Sequence, residues 1–214
     1  MSCKPIIFSG PMVRAILDGR KTMTRRVIKH QPHESERVID LGDGSYAHQC
    51  VSAGSYGGGH WHLPYNPGDV LWVRENCWAE DRGERCGVCY DADTAWIEFN
   101  DAEHHEDYFK LRDYAWKANE GFESNSGKLV PSIFMPRWAS RITLRVTDVK
   151  IERLQDISEA DAIAEGCLHH HDPSGDGQNV IEQFSHIWQS IHGPGSWDAN
   201  PWCVAITFEK EPRP

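Results

Sequence analysis

Short apolar runs separated by long polar stretches mark the elements of this chain. The run Lys4–Phe8 predicts a strand over 4–8. Pro11 and Gly19 then bracket Met12, Val13, Ile16 and Leu17, which recur at helical spacing behind Ser9. Proline at the start and glycine past the end is the favoured helix asymmetry, so a helix is predicted over 11–18. "NPGDVLWVRE" is a turn followed by a strand over 69–75, apolar on both faces and therefore buried. Ile142, Leu144 and Val146 alternate with Thr143, Arg145 and Thr147, the period of a half-buried strand, here 141–151. "DISEADAIAEG" predicts a helix over 158–165, with Ser158 and Asp161 set like a capping box and Gly166 as its stop. Val180, Phe184, Ile187, Trp188 and Ile191 share one face of a helix over 179–192. Trp202, Val204, Ile206 and Phe208 lie on one side of a closing strand over 202–208.

Between these runs the pattern fades. Residues 30–64 read as loop, and residues 82–128 as a polar, acidic insertion with one strand at 94–99. The order β-α-β-(insert)-β-α-α-β lacks regular βαβ alternation. It predicts an α+β fold: a small mixed or antiparallel barrel with flanking helices, one domain over 1–214, and two loop-rich insertions at about 30–64 and 82–128.

Composition narrows the function. At 39% hydrophobic residues the chain can build a core. Its net charge of −10 argues against coating duplex DNA, since non-specific duplex binding runs on phosphate neutralisation. No apolar stretch approaches the ~20 residues of a membrane helix, so no membrane partner is expected. Seven cysteines at irregular spacing, with no export signal, predict reduced thiols and a cytoplasmic protein.

Against this acidic background one stretch is basic: "LDGRKTMTRRVIKH", residues 17–30, with Arg14 just before it. Read plainly, it is a solvated loop. Read chemically, it is a pocket. Lys21 among Arg20, Arg25 and Arg26 has its charged form disfavoured, which makes a neutral amine accessible. Thr24 offers a hydroxyl, and the three arginines suit a phosphate or carboxylate. Glu165 ends the 158–165 helix, where the helix dipole prefers a cation. A partner elsewhere would explain it; Lys21 is the candidate, and Glu75 is a rival carboxylate. Cys86 and Cys89 form a lone CxxC, and Cys50, His60, His62, His104 and His105 complete it at no recognised metal spacing, so no metal is expected. His169–His171 read as a solvated turn. Trp61, Trp138, Trp197 and Trp202 are core or lid packing, except that Trp138 near Arg137 and Arg141 is suited to stacking a base.

Taken together, "GRKTMTRR", "PGDVLWVRE", "LQDISEADAIAEG" and "WCVAITFE" in this order resemble the ASCH domain family of the PUA-like superfamily. "MPRWASRITLRVTDVKIERLQDISEADAIAEG" and "WDANPW" resemble its longer phage and prophage members. The resemblance covers roughly 4–29, 65–80 and 130–208. It implies a PUA-like barrel with a cleft for a nucleoside or single-stranded RNA and no cofactor. Some compact members are amidohydrolases that deacetylate N4-acetylcytidine with a lysine, a threonine and a glutamate. Lys21, Thr24 and Glu165 fall on those positions, with Arg20, Arg25, Arg26, Glu75, Arg137, Trp138 and Arg141 as expected substrate contacts. Arg25 departs from the pattern, since compact members have an apolar residue there. The alternatives are a non-catalytic reader of RNA or of a modified base, and a metal-dependent ribonuclease.

Overall fold

The computed structural model describes residues 3–29, 31–32, 36–40, 46–50, 60–61, 63–82, 85–98, 128–168 and 179–212. In chain order its regular elements are β1 (Cys3–Ile7), α1 (Gly10–Leu17), β2 (Met23–Val27), β3 (Glu36–Asp40), β4 (Tyr46–Cys50), β5 (His60–Trp61), β6 (Val70–Arg74), β7 (Cys77–Arg82), β8 (Arg85–Tyr90), β9 (Trp96–Glu98), β10 (Thr143–Arg153), α2 (Glu159–Ala164), α3 (Val180–His192) and β11 (Trp202–Lys210). The fold is α+β. The elements expected from apolar periodicity are present, with ends shifted by one or two residues.

Three expectations need correcting. First, the sheet is not a closed barrel. Its strand order is β1-β6-β10-β11-β2, with β1 parallel to β6 and β2 antiparallel to β11, so the sheet is open. Ahead of β2 the Thr22 N–H leaves the sheet to donate to the Ala164 carbonyl, while after it the Ile28 N–H continues the ladder to Trp202 of β11. Second, the basic stretch forms β2. Met23, Thr24 and Arg25 are all buried, so both faces of β2 are covered, and with polar residues among them there is no apolar period to read. Third, the two insertions are not simply loops. Residues 36–61 hold the antiparallel sheet β3-β4-β5, and 77–98 hold the antiparallel sheet β7-β8-β9. Much of β7 and β8 is small or polar, which weakens the alternation.

Two compact units emerge from the backbone contacts. The first comprises residues 19–69 and 145–209. Its core joins Leu154, Ile157, Ala162, Cys167, Val180, Phe184, Trp188 and Cys203. Helix α3 enters it with Val180, Phe184 and Trp188, while Ile187 and Ile191, expected on the same face, are exposed. Burial therefore follows a narrower stripe at i, i+4 and i+8. Asn179 caps α3 by accepting from the Ile181 N–H at 2.9 Å, and Gly193, at φ 93°, ends it. The Tyr46 hydroxyl donates to the Val149 carbonyl at 3.2 Å.

The second unit comprises residues 2–18, 70–144 and 210–214. Its core joins Cys77, Ala79, Val88, Tyr90, Val130, Met135 and Ala139. Strand alternation sends Val88 and Tyr90 to this core and turns Gly87 and Cys89 to the other face. There Trp96 lies flat on Gly87, with its indole N–H donating to the Glu80 carbonyl at 3.0 Å. A Cβ on Gly87 would meet Trp96 ring atoms at 2.2–2.4 Å. Gly87→Ala should therefore destabilise the protein by about 1–3 kcal/mol, the usual range for overpacking. In a Trp96→Ala background the same change should cost much less, because the clash is gone. Denaturant unfolding of the four proteins measures both numbers.

Candidate functional site

Strand β2 carries the site. Its register against β11 pairs Thr24 with Ile206 and Arg25 with Ala205. Just ahead of it, the Thr22 N–H donates to the Ala164 carbonyl at 2.8 Å, and the Phe208 N–H donates to the Thr22 carbonyl at 2.8 Å. These bonds hold Lys21 at the end of α2.

Glu165 is the C-cap of α2. The Lys21 ammonium donates to its carboxylate Oε2 at 2.7 Å and to its main-chain carbonyl at 2.8 Å. One amine thus answers both negative features of that helix end, the acidic side chain and the dipole. This is the partner that the misplaced glutamate called for. Both residues are buried: Lys21 is 2% exposed and Glu165 9%. Burial pushes the Lys21 amine below its ordinary value, against the charge and hydrogen bond of Glu165, and Arg26 adds to the lowering.

Arg25 completes the arrangement from the other carboxylate oxygen. Its Nη1 donates to Glu165 Oε1 at 3.3 Å and to Met23 Sδ at 3.4 Å. Nε donates to Glu152 at 2.9 Å, and Nη2 donates to Glu152 and, at 2.7 Å, to Asp161. A guanidinium has five N–H donors, so these five bonds engage all of them. Arg25 is turned inward with no donor left for a phosphate. Burial works against its charge, but Glu165, Glu152 and Asp161 outweigh it and raise its pKa further. Lys150 joins the far side, 2.8 Å from Asp161 and 3.0 Å from Glu152. Three cations thus meet three carboxylates.

Asp161 explains why the capping box is half built. Its N–H donates to the Ser158 hydroxyl at 3.1 Å, as the motif requires. Its carboxylate goes instead to Arg25 and Lys150. Sequence reasoning missed Lys150, Glu152 and Asp161 as members of the site. The signal available was Asp161 itself, one methylene shorter than the usual capping-box glutamate.

Thr24 is 2% exposed, and among the described residues its hydroxyl forms no hydrogen bond. It is bonded to neither Lys21 nor Glu165. Arg20, at the exposed edge, donates to the Gly166 carbonyl at 3.3 Å. Arg26 is half-buried; burial lowers its pKa, while Tyr65 and Glu165 work to raise it.

The remaining expected residues belong to the second unit. Arg141 clasps Glu75 through two hydrogen bonds of 2.8 Å, reaches Asp93 at 2.9 Å, and lies 4.1 Å over the Tyr90 ring. Burial pushes Glu75 up and the Arg141 contacts pull it down. Arg137 is exposed in a 3-10 turn, and Trp138 packs against the core of that unit. Cys86 and Cys89 leave opposite faces of β8, so they cannot chelate together. The side chains of Cys50, His60 and Trp61, and all of His62, His104, His105 and His169–His171, lie outside the described residues. Among the described residues no three His, Cys, Asp or Glu side chains gather as a metal set, and no helix is long and apolar enough to cross a membrane.

Comparison of the chain with protein-family models, with curated proteins and with solved structures returned no match.

Asp161 supplies a test of the ionic network. Burial works to raise its pKa, but the Lys150 hydrogen bond and the Arg25 charge hold it below the ordinary 3.8. A carboxyl depressed on folding adds stability above its unfolded pKa and loses it as pH falls through the folded one. Asp161→Asn should therefore be less stable than wild type at pH 7. The gap should begin to narrow as pH falls toward the ordinary value near 4 and should close only at lower pH, once the depressed carboxyl of the folded wild type is itself protonated. Denaturant midpoints across that pH range measure it.

Proposed function

We propose that this protein hydrolyses an amide on a modified nucleobase, with an N4-acylated cytidine as the substrate class. The observation that carries the reading is the buried Lys21–Glu165 pair, a lysine amine 2.7 Å from a carboxylate and depressed by burial. A lysine whose neutral form is accessible serves as a general base, and a carboxylate in contact with it accepts and returns the proton. Thr24 adds a buried hydroxyl that spends no hydrogen bond on the described protein. The resemblance of "GRKTMT" and of the helix ending at Glu165 to the ASCH amidohydrolases supports the same three residues.

In the proposed reaction Lys21 takes the proton of the Thr24 hydroxyl as its oxygen attacks the acyl carbon. The carbon–nitrogen bond breaks, and the exocyclic nitrogen of the base leaves with the proton returned through Lys21. Water then hydrolyses the threonine ester, releasing the acid and restoring the hydroxyl. Glu165 holds the amine in place and stabilises its protonated form. Arg20 and Arg26 are the arginines of this stretch with a role in drawing an anionic ligand, since Arg25 is fully engaged.

Release of cytidine from N4-acetylcytidine, followed by chromatography, tests the reading. Wild type should turn over. Lys21→Ala, Thr24→Ala and Glu165→Gln should each remove nearly all activity while an unfolding assay shows the fold intact. Double variants should lose little more, because groups acting as one unit are not additive. Ligand binding without turnover of this or related acylated cytosines would replace the enzyme reading by that of a modified-base reader.

A further inference from the structure

Arg25 poses a question of its own. It is 2% exposed and all five of its donors are engaged within the protein. A buried guanidinium held by carboxylates could be mere packing, here beneath the Phe184 ring at 6.0 Å. Its geometry shows more than packing. Glu165 presents its two oxygens to two different cations, Oε2 to Lys21 and Oε1 to Arg25.

That division has a chemical consequence. A carboxylate shared between two cations stabilises each of them less than it would stabilise one alone. We infer that Arg25 is a positioning residue, which by drawing Glu165 toward itself keeps the Lys21 ammonium under-compensated and so makes its neutral amine accessible. Glu152 and Asp161 act in turn on Arg25. They absorb part of its charge, and Lys150 absorbs part of theirs. The chain Lys150–Asp161/Glu152–Arg25–Glu165–Lys21 is a graded series in which each charge tunes the next.

Other titratable groups among the described residues also face these side chains. Lys21 is also met by Arg26 from β2 and by Cys167 just beyond α2. Cys167 is pushed up to about 11 by burial and is neutral near pH 7. Cys203 on β11, beside Arg25, Glu152 and Glu165, is pushed up to about 12 by burial and is likewise neutral. Arg26 faces Tyr65 and His192, and burial together with Arg26 lowers His192. Arg25 meets Glu165 directly, Nη1 to Oε1 at 3.3 Å.

This role for Arg25 rests on the proposed reaction for its purpose, since it supplies that reaction's neutral base. Its test needs no substrate. The Lys21 side chain is titrated by NMR in protein carrying isotope-labelled lysine, with its signal assigned by loss in Lys21→Ala. In wild type the midpoint should lie below the ordinary 10.5. Arg25→Met returns Glu165 wholly to Lys21 and leaves Glu152 and Asp161 less compensated, so the midpoint should rise by about one unit or more. Glu152→Gln leaves Arg25 less compensated, so the midpoint should fall. Arg25→Lys restores the charge and should bring the midpoint back toward wild type. A purely structural arginine would lower the unfolding midpoint without moving the titration in opposite directions. Shifts of the same sign in Arg25→Met and Glu152→Gln, or none in either, overturn the inference. If Arg25→Met does not fold, the Glu152→Gln titration alone decides, by falling or by staying put. A wild type without turnover would sink the proposed activity, while the titration would still measure what Arg25 does to Lys21.

Discussion

A single buried amine organises the first unit. Lys21 holds the main-chain carbonyl and the side chain of Glu165 at once, so it fixes where α2 ends. The neighbouring residue, Thr22, ties β2 to Ala164 and to β11 through its backbone. Remove the amine, and the last carbonyl of α2, the carboxylate beside it and the start of β2 lose their common point. Truncating one partner of such a buried pair leaves the other charge desolvated, an effect on the order of 3–5 kcal/mol. Here Arg25 still holds Glu165, so the loss is cushioned.

Burying two cations and a carboxylate, Lys21, Arg25 and Glu165, is an inefficient way to gain stability, because desolvation offsets most of the attraction. Well-packed apolar residues would have served a purely structural purpose as well. What the ionic arrangement provides that an apolar one cannot is a lysine whose proton is weakly held and a carboxylate fixed beside it. The second unit offers a contrast. Arg141 and Glu75 form a bidentate pair with both oxygens spent on one guanidinium, over the Tyr90 ring. That is a closed pairing, which pins the end of β6 to the segment before β10 and, among the described residues, shares no carboxylate oxygen with a second cation.

How legible this was in the chain varied with its physical origin. Elements whose inward faces are apolar could be read from periodicity alone: β6, β10, β11 and α3 fall within two residues of expectation. Strand β2 could not, because Thr24 and Arg25, on its opposite faces, are both buried and defeat any hydropathy period. The β7–β8 hairpin was hidden for another reason, since Cys77, Ala79 and Gly87 are too small to mark an alternating pattern. Lys21 and Glu165 were visible because each is chemically out of place, one crowded by like charges and the other at the wrong end of a helix. Glu152 and Lys150 were not, because on a strand flanked by charged residues they resemble any solvated face. Only the fold brings β10 alongside β2's arginine.

Helix α2 is six residues long, far below the length at which a helix persists by itself in water. Ser158 closes its first turn and Lys21 its last, while Asp161 in between is moored to β2 and β10 through Arg25 and Lys150. Such a helix has no fraying equilibrium of its own. Its amides open to solvent only when the ionic lattice lets go, which makes α2, the head of β2 and the adjoining turn of β10 one cooperative unit of local unfolding.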